Sequence, residues 1–96
     1  MLREYEMMYI VRPELDEAGL TGAIEKVSGL VTGNGGEVIK ADPWGRRRLA
    51  YPIKSCREGQ YVLTQFKLDP AATTELERGL RITEDVIRHL IIRLGD

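Results

Sequence analysis

The sequence YEMMYIVR, residues 5–12, predicts a β-strand with apolar side chains on both faces. Successive side chains of a strand point to opposite sides, so this stretch presents two separate apolar sets. One set consists of Tyr5, Met7, Tyr9 and Val11. The other set includes Met8 and Ile10, which the same core cannot bury. We therefore expect a sheet with one core face and one face that either another element covers or a partner binds.

The segments that follow alternate between helix and strand patterns. Asp16 is an N-cap for a helix with apolar residues at 20, 24, 27 and 31, and glycines at 33, 35 and 36 end it. A strand over 37–41 continues through a bend at 42–43 into an arginine-rich stretch. A turn over 54–58, ending at Gly59, then leads to a strand over 60–68. Asp69 and Pro70 begin a shorter helix, and residues 86–94 form a β-branched last strand.

The order β-α-β-β-α-β predicts an α+β, ferredoxin-like fold in a single domain spanning residues 1–96. This fold has a four-stranded antiparallel sheet with two helices on one face. Its first and third strands are central, and its second and fourth strands are edges. The prolines at 43 and 52 agree with an edge position for the second strand, since proline cannot donate to a β-ladder.

Composition excludes several classes of function. Cys56 and His89 are the sole cysteine and histidine, so a disulfide or a zinc set is not expected. A nucleophile and base pair would need these two residues to meet from a turn and the last strand, so we expect no enzyme, metal, cofactor or small-molecule substrate. There is no apolar run of membrane-spanning length and no signal-peptide core, which favours a cytoplasmic protein.

The stretch GRRRLAYPIK, residues 45–54, concentrates positive charge beside apolar side chains on the expected edge strand. Charge on an edge strand can simply discourage aggregation, but three consecutive arginines exceed that need. Arginine suits phosphate through its planar fork, which points to RNA. The net charge of the chain is -1, however, so bulk attraction to RNA is weak. The second sheet face is apolar and poor in aromatic residues, so a protein partner fits it better than bare RNA.

Three motifs in order resemble bacterial small-subunit ribosomal protein six. They are GRRRLAYPIK at 45–54, MLREYE at 1–6 before a hydrophobic strand, and LRI at 80–82 before an acidic turn and the last strand. The resemblance covers nearly all of the chain and implies the same ferredoxin-like fold. It also implies a non-catalytic component of the small ribosomal subunit that pairs with small-subunit ribosomal protein eighteen. That pair would dock on the central domain of 16S ribosomal RNA.

Carried over by position, the resemblance divides the candidate site residues into two sets. The candidates for RNA phosphate are Arg3, Arg46, Arg47, Arg48, Arg88 and Arg93. The candidates for the protein partner are Trp44, Leu49, Tyr51, Pro52 and Ile53. Some members could belong to the other set.

Two further functions stay open on the residues alone. A homodimeric ferredoxin-like regulatory domain could bind a small metabolite between two apolar sheet faces. A single-stranded RNA binder could use its sheet without a partner, although few aromatic residues are available for base stacking.

Overall fold

The computed structural model describes residues 1–95 and confirms the predicted order of elements. The elements are β1 (Arg3–Val11), α1 (Glu17–Gly33), β2 (Glu37–Ile53), β3 (Cys56–Leu68), α2 (Thr73–Ile82) and β4 (Val86–Arg93), with a 3₁₀ turn at Pro70–Ala72. Within the described residues, the strands form one antiparallel sheet in the order β2-β3-β1-β4. Strands β1 and β3 are therefore central and β2 and β4 are edges, as predicted.

The core lies between the two helices and one face of the sheet. Strand β1 contributes its alternate residues from Tyr5 to Val11, and β3 contributes its alternate residues from Val62 to Leu68. Helix α1 adds Val27 and Val31. The same apolar residues that set the strand and helix periods in the sequence are buried here, which explains why the pattern predicted the architecture.

Aspartates cap the start of α1 and the start of the 3₁₀ turn that leads into α2, whereas Ala72, the N-cap residue of α2 itself, provides no side-chain cap. The Asp16 carboxylate accepts a hydrogen bond of 2.8 Å from the Gly19 N–H, and the Asp69 carboxylate accepts one of 2.9 Å from the Ala71 N–H. At the other end of α1, the Gly36 N–H donates to the Val31 carbonyl at 2.9 Å. Gly35, between them, has a φ of +82°, a conformation that glycine adopts without strain.

The hairpin between β2 and β3 is tighter than the sequence predicts. The expected turn over 54–58 is wrong, because β3 already begins at Cys56 and only Lys54 and Ser55 form the turn. Both turn residues have positive φ, 48° and 68°, which is the two-residue hairpin geometry usually occupied by asparagine and glycine. Gly59, expected to end the turn, instead lies inside β3, where a Cβ would overlap the Ile10 side chain.

The end of β2 folds over the sheet face away from the helices. Between Arg48 and Ile53, β2 advances five positions while β3 advances only two, from Glu58 to Cys56. The extra residues carry Leu49 across the sheet onto Ile10 of β1 and Ile87 of β4, where the three form a small buried cluster. The second face, expected to be open, is therefore closed by the chain itself at this end.

The core contains two hydroxyl groups that lack good hydrogen-bond partners. Tyr9 Oη and Thr64 Oγ1 are both buried without a partner among the described residues. Burial raises the pKa of Tyr9 to about 12, and the neighbouring Thr64 hydroxyl offsets this only in part. The core therefore carries a polar cost that apolar replacements of the same shape can remove.

We expect Tyr9→Phe to raise the free energy of unfolding by about 1 kcal/mol, since a buried polar group without a partner costs about 1–3 kcal/mol. Thr64→Val removes the other hydroxyl at similar volume and serves as the matched variant. Urea titrations of both proteins check the expectation. If Tyr9→Phe instead lowered the free energy of unfolding by about 1 kcal/mol or more, the Tyr9 hydroxyl would have a hydrogen-bond partner.

Candidate functional site

The three consecutive arginines lie at the end of the sheet that carries the hairpin. Arg46, Arg47 and Arg48 are exposed and stand opposite Gln60, Gly59 and Glu58 of β3. Because neighbouring residues of a strand alternate, Arg47 faces away from the helices while Arg46 faces toward them. Leu49, two residues further on, packs on Ile10 on this same face away from the helices.

Arg46 serves the fold in addition to any external role. Its Nη2 donates a hydrogen bond of 2.6 Å to the carbonyl oxygen of Pro13, in the loop between β1 and α1. This contact ties the edge strand to the first loop across the end of the sheet. The guanidinium groups of Arg47 and Arg48, by contrast, make no hydrogen bond to any side chain or backbone atom of residues 1–95.

Two cations at this end lie over aromatic rings. The Arg47 guanidinium carbon is 6.0 Å from the centre of the Trp44 ring, and that of Arg88 is 6.0 Å from the centre of the Tyr51 ring. Arg88 also donates a hydrogen bond to the Tyr51 hydroxyl. Tyr51 reaches Arg88 because the end of β2 crosses the sheet to β4. Residues from two edge strands thereby meet on one surface.

The positive charge at this end is only partly offset by the chain, because Glu58 stands opposite Arg48 but forms no ion pair with it. None of Arg47, Arg48 and Arg88 forms an ion pair within residues 1–95. Arg57 lines the same cleft as Arg48, and Lys54 is at the tip of the hairpin. The sequence prediction missed Lys54 and Arg57, although their closeness in sequence to the three arginines was a usable signal. The hairpin end is thus a concentrated cationic surface on a nearly neutral protein.

Arg3 and Arg93 do not join this surface. Arg3 is opposite Leu68 and Arg93 is opposite Tyr5, which places both at the other end of the sheet. The eight positions of β3 between Gln60 and Leu68 correspond to about 27 Å. The structure therefore divides the six candidate arginines into a group of four at the hairpin end and a pair at the far end.

An apolar row crosses the sheet face away from the helices. Met8 of β1 is flanked in register by Leu63 of β3 and Leu90 of β4, and Ile92 lies on the same face of β4. Leu90 is 59% exposed and Ile92 is 48% exposed. This row continues from the cationic end toward the middle of the sheet. It includes Met8, one of the apolar residues that the sequence predicted to lie outside the core.

The candidate partner residues differ in how much surface they offer. Trp44, Tyr51 and Pro52 are exposed, and Ile53 is half-buried. Leu49 is only 9% exposed because it packs on Ile10 and Ile87, so it offers the least free surface of the five.

The two residues considered for catalysis occupy different environments. Cys56 packs against the apolar cluster around Ile10, on the face away from the helices. His89 is opposite Tyr9 on the helix side, where burial lowers its pKa. Among residues 1–95, no cluster of histidine, cysteine or carboxylate side chains has the arrangement of a metal site. None of the described helices is both long and apolar enough to cross a membrane.

Comparison with known proteins places this geometry in a family. The family model for ribosomal protein S6 matches residues 4–93. The small ribosomal subunit protein bS6 of Desulforamulus reducens is 50% identical over 95 residues, which cover 99% of this chain and all of the relative. That of Carboxydothermus hydrogenoformans is 52% identical, with 97% of each chain covered. The crystal structure of 30S ribosomal protein S6 from Thermotoga maritima superposes with a TM-score of 0.88 at 32% identity, covering 97% of this chain and 88% of the other.

Proposed function

This chain belongs to the ribosomal protein S6 family, and from that membership we propose that it binds the central domain of 16S ribosomal RNA as a pair with small-subunit ribosomal protein eighteen. The family is structural and non-enzymatic, and its members are constituents of the small ribosomal subunit in the cytoplasm. What the proposal adds is the RNA region, the partner and the surfaces that contact each of them.

The unpaired cationic surface at the hairpin end carries the proposal. Arg47, Arg48 and Arg88 are exposed and have no carboxylate partner within the described residues, so their charge is available for phosphate. Exposed arginine beside aromatic rings, as at Trp44 and Tyr51, is a common chemistry for contacting RNA.

The need for a protein partner follows from charge and apolar surface together. The net charge of -1 gives little long-range attraction to RNA, so a second basic protein would supply the rest of the cationic surface. The row of Leu63, Met8 and Leu90 beside the arginines gives that partner an apolar surface to bury. One docking end then serves both partners, with the arginines toward RNA and the apolar row toward the protein.

A binding experiment with three mixtures tests the proposal. A 16S central-domain fragment is titrated with this chain, with protein eighteen, and with both together. We expect the chain alone to bind only non-specifically, with a Kd of about 10⁻⁴ to 10⁻⁶ M at physiological salt, and the pair to bind far more tightly. Equally tight binding by the chain alone would support an autonomous RNA binder instead. A stable homodimer in sedimentation, with no pair formed, would support the regulatory alternative.

A further inference from the structure

A second cationic cleft lies around the corner from the arginine run, where the hairpin tip meets β4 and the end of α2. It has a volume of about 220 Å³. Its charged or titratable lining residues are Lys54, Arg81, Arg88 and His89, and its floor is Leu80, Val86 and Ile87. Three separate elements therefore bring three cations to one concave site with an apolar base.

The cations of this cleft are only weakly used by the chain itself. Lys54 has no ion pair within residues 1–95. Arg81 Nη2 is 3.8 Å from Glu77 Oε2, a loose and exposed pair. Arg88 donates to the neutral Tyr51 hydroxyl, which leaves its charge uncompensated. The cleft therefore carries net positive charge, with Glu77 as the one carboxylate paired with its cations in the described chain.

His89 reports on the same environment. Burial lowers its pKa first, the Glu77 carboxylate opposes that effect, and the nearby Arg81 charge lowers the pKa further. The imidazole of His89 is therefore close enough to Arg81 for the positive charge of Arg81 to disfavour its protonation. An anion that entered would reverse the effect of Arg81 on the imidazole.

The backbone of the hairpin turn fixes where Lys54 lies. Lys54 and Ser55 occupy the left-handed region at φ of 48° and 68°, where glycine would be unstrained. The two-residue hairpin requires these angles, so the turn holds both residues in place. The turn places Lys54, one of these two residues, in the lining of the cleft.

We propose that the cleft lined by Lys54, Arg81 and Arg88 binds a phosphate group. The Arg81 guanidinium can provide a planar pair of donors, and the Lys54 ammonium can add a mobile point charge. Arg88, whose guanidinium lies at Tyr51, adds positive charge at the border of the cleft. Two sources share this chemistry: a backbone phosphate of RNA and a free phosphate ion. The RNA source rests on the function proposed above, and it would extend the RNA footprint from β2 around to β4 and α2.

The first test uses His89, the only histidine, as an NMR reporter in the free chain. Titration with pyrophosphate is expected to shift the imidazole signals saturably and to raise the pKa of His89. Lys54→Gly and Arg81→Gln should each weaken this response several-fold. Ser55→Gly, which relaxes the same turn while keeping Lys54, should respond like the wild type.

Lys54→Gly also relaxes the backbone of the turn, so it is expected to fold at least as stably as the wild type, and a loss of binding cannot be ascribed to unfolding. An unchanged imidazole in the wild type, or an equal response in Lys54→Gly, overturns the site.

The second test distinguishes the two sources of phosphate. Binding of the pair to the 16S fragment is measured against salt for the wild type, Arg81→Gln and Ser55→Gly. If RNA occupies the cleft, Arg81→Gln lowers the log-log salt slope by about 0.7 to 0.9, and Ser55→Gly leaves it unchanged. An unchanged slope with a saturable pyrophosphate response assigns the cleft to the free ion. If the wild-type pair fails to bind the fragment, the proposed function fails while the pyrophosphate result still decides the cleft.

Discussion

Replacing Gly36 with alanine is expected to lower the free energy of unfolding by about 3 kcal/mol, against a total of about 5–15 kcal/mol for a protein of this kind. A Cβ at this position would lie 2.6 Å from the carbonyl oxygen of Lys67, 2.8 Å from Val31 Cγ1 and 2.9 Å from Leu68 Cδ1. The nearest of these atoms is backbone in a central strand, which cannot move without disturbing the β-ladder. Gly36 joins α1 to β2 against the sheet, so the strain falls on the junction of both layers.

The same substitution at Gly29 is the matched control. Gly29 lies inside α1, and a Cβ added there would have no neighbouring atom within 4 Å, so alanine removes only backbone freedom. We expect Gly29→Ala to stabilise the protein by about 0.5–1 kcal/mol. Urea titrations give both values with one reference. Similar effects at the two glycines would contradict the close contact of Gly36 with β3.

The fold was predictable from sequence because its main signals are local and repeated. The alternation from Tyr5 to Val11 and the cap at Asp16 each act within a few residues, and each is present in the structure. The prediction of the hairpin turn was wrong for a specific reason. Glycine is the usual sequence signal for positive φ, yet it is Lys54 and Ser55 that adopt positive φ here. Gly59 is a glycine for another reason, since any side chain at that position would overlap Ile10. Glycine has two distinct uses, and only spatial contacts tell them apart.

The candidate site was predictable only in part because it is assembled from distant segments. Arg47 and Arg48 are adjacent in sequence, so their common surface was evident from the start. The crossing of β2 that brings Tyr51 to Arg88 depends on a bulge that the sequence does not specify, because Pro52 within it is equally typical of a plain edge strand. The position of Arg3, by contrast, follows from the predicted topology, because the start of the first strand pairs with the end of the third, away from the hairpin. The prediction of the site residues did not use this pairing. Charge composition indicates a cationic site, and register decides its members.

The double variant Arg47→Gln and Arg48→Gln is expected to weaken binding of the chain and protein eighteen to the 16S fragment by roughly 100-fold. Each charge-assisted hydrogen bond to phosphate is worth about 1.5 kcal/mol or more, and two together amount to about 3 kcal/mol. The log-log salt slope should fall by about 1.4 to 1.8, because two cations that neutralise phosphates are removed. Neither side chain makes a hydrogen bond or ion pair in the described residues, and Arg47 loses only its exposed contact with the Trp44 ring, so stability should change by less than about 1 kcal/mol.

Two comparisons make this result specific to the hairpin end. Lys26→Gln with Arg78→Gln removes the same charge from the helix layer, where both side chains already pair with carboxylates, and should leave the salt slope unchanged. Arg46→Gln loses the hydrogen bond to Pro13, so it should lower stability by about 1 kcal/mol whatever its effect on RNA. If the helix-layer variant weakened binding as much as the hairpin variant, net charge alone would govern the affinity. The hairpin end would then not be a specific site of phosphate contact. At a localised interface, removing a cation weakens binding only if that cation lies at the interface.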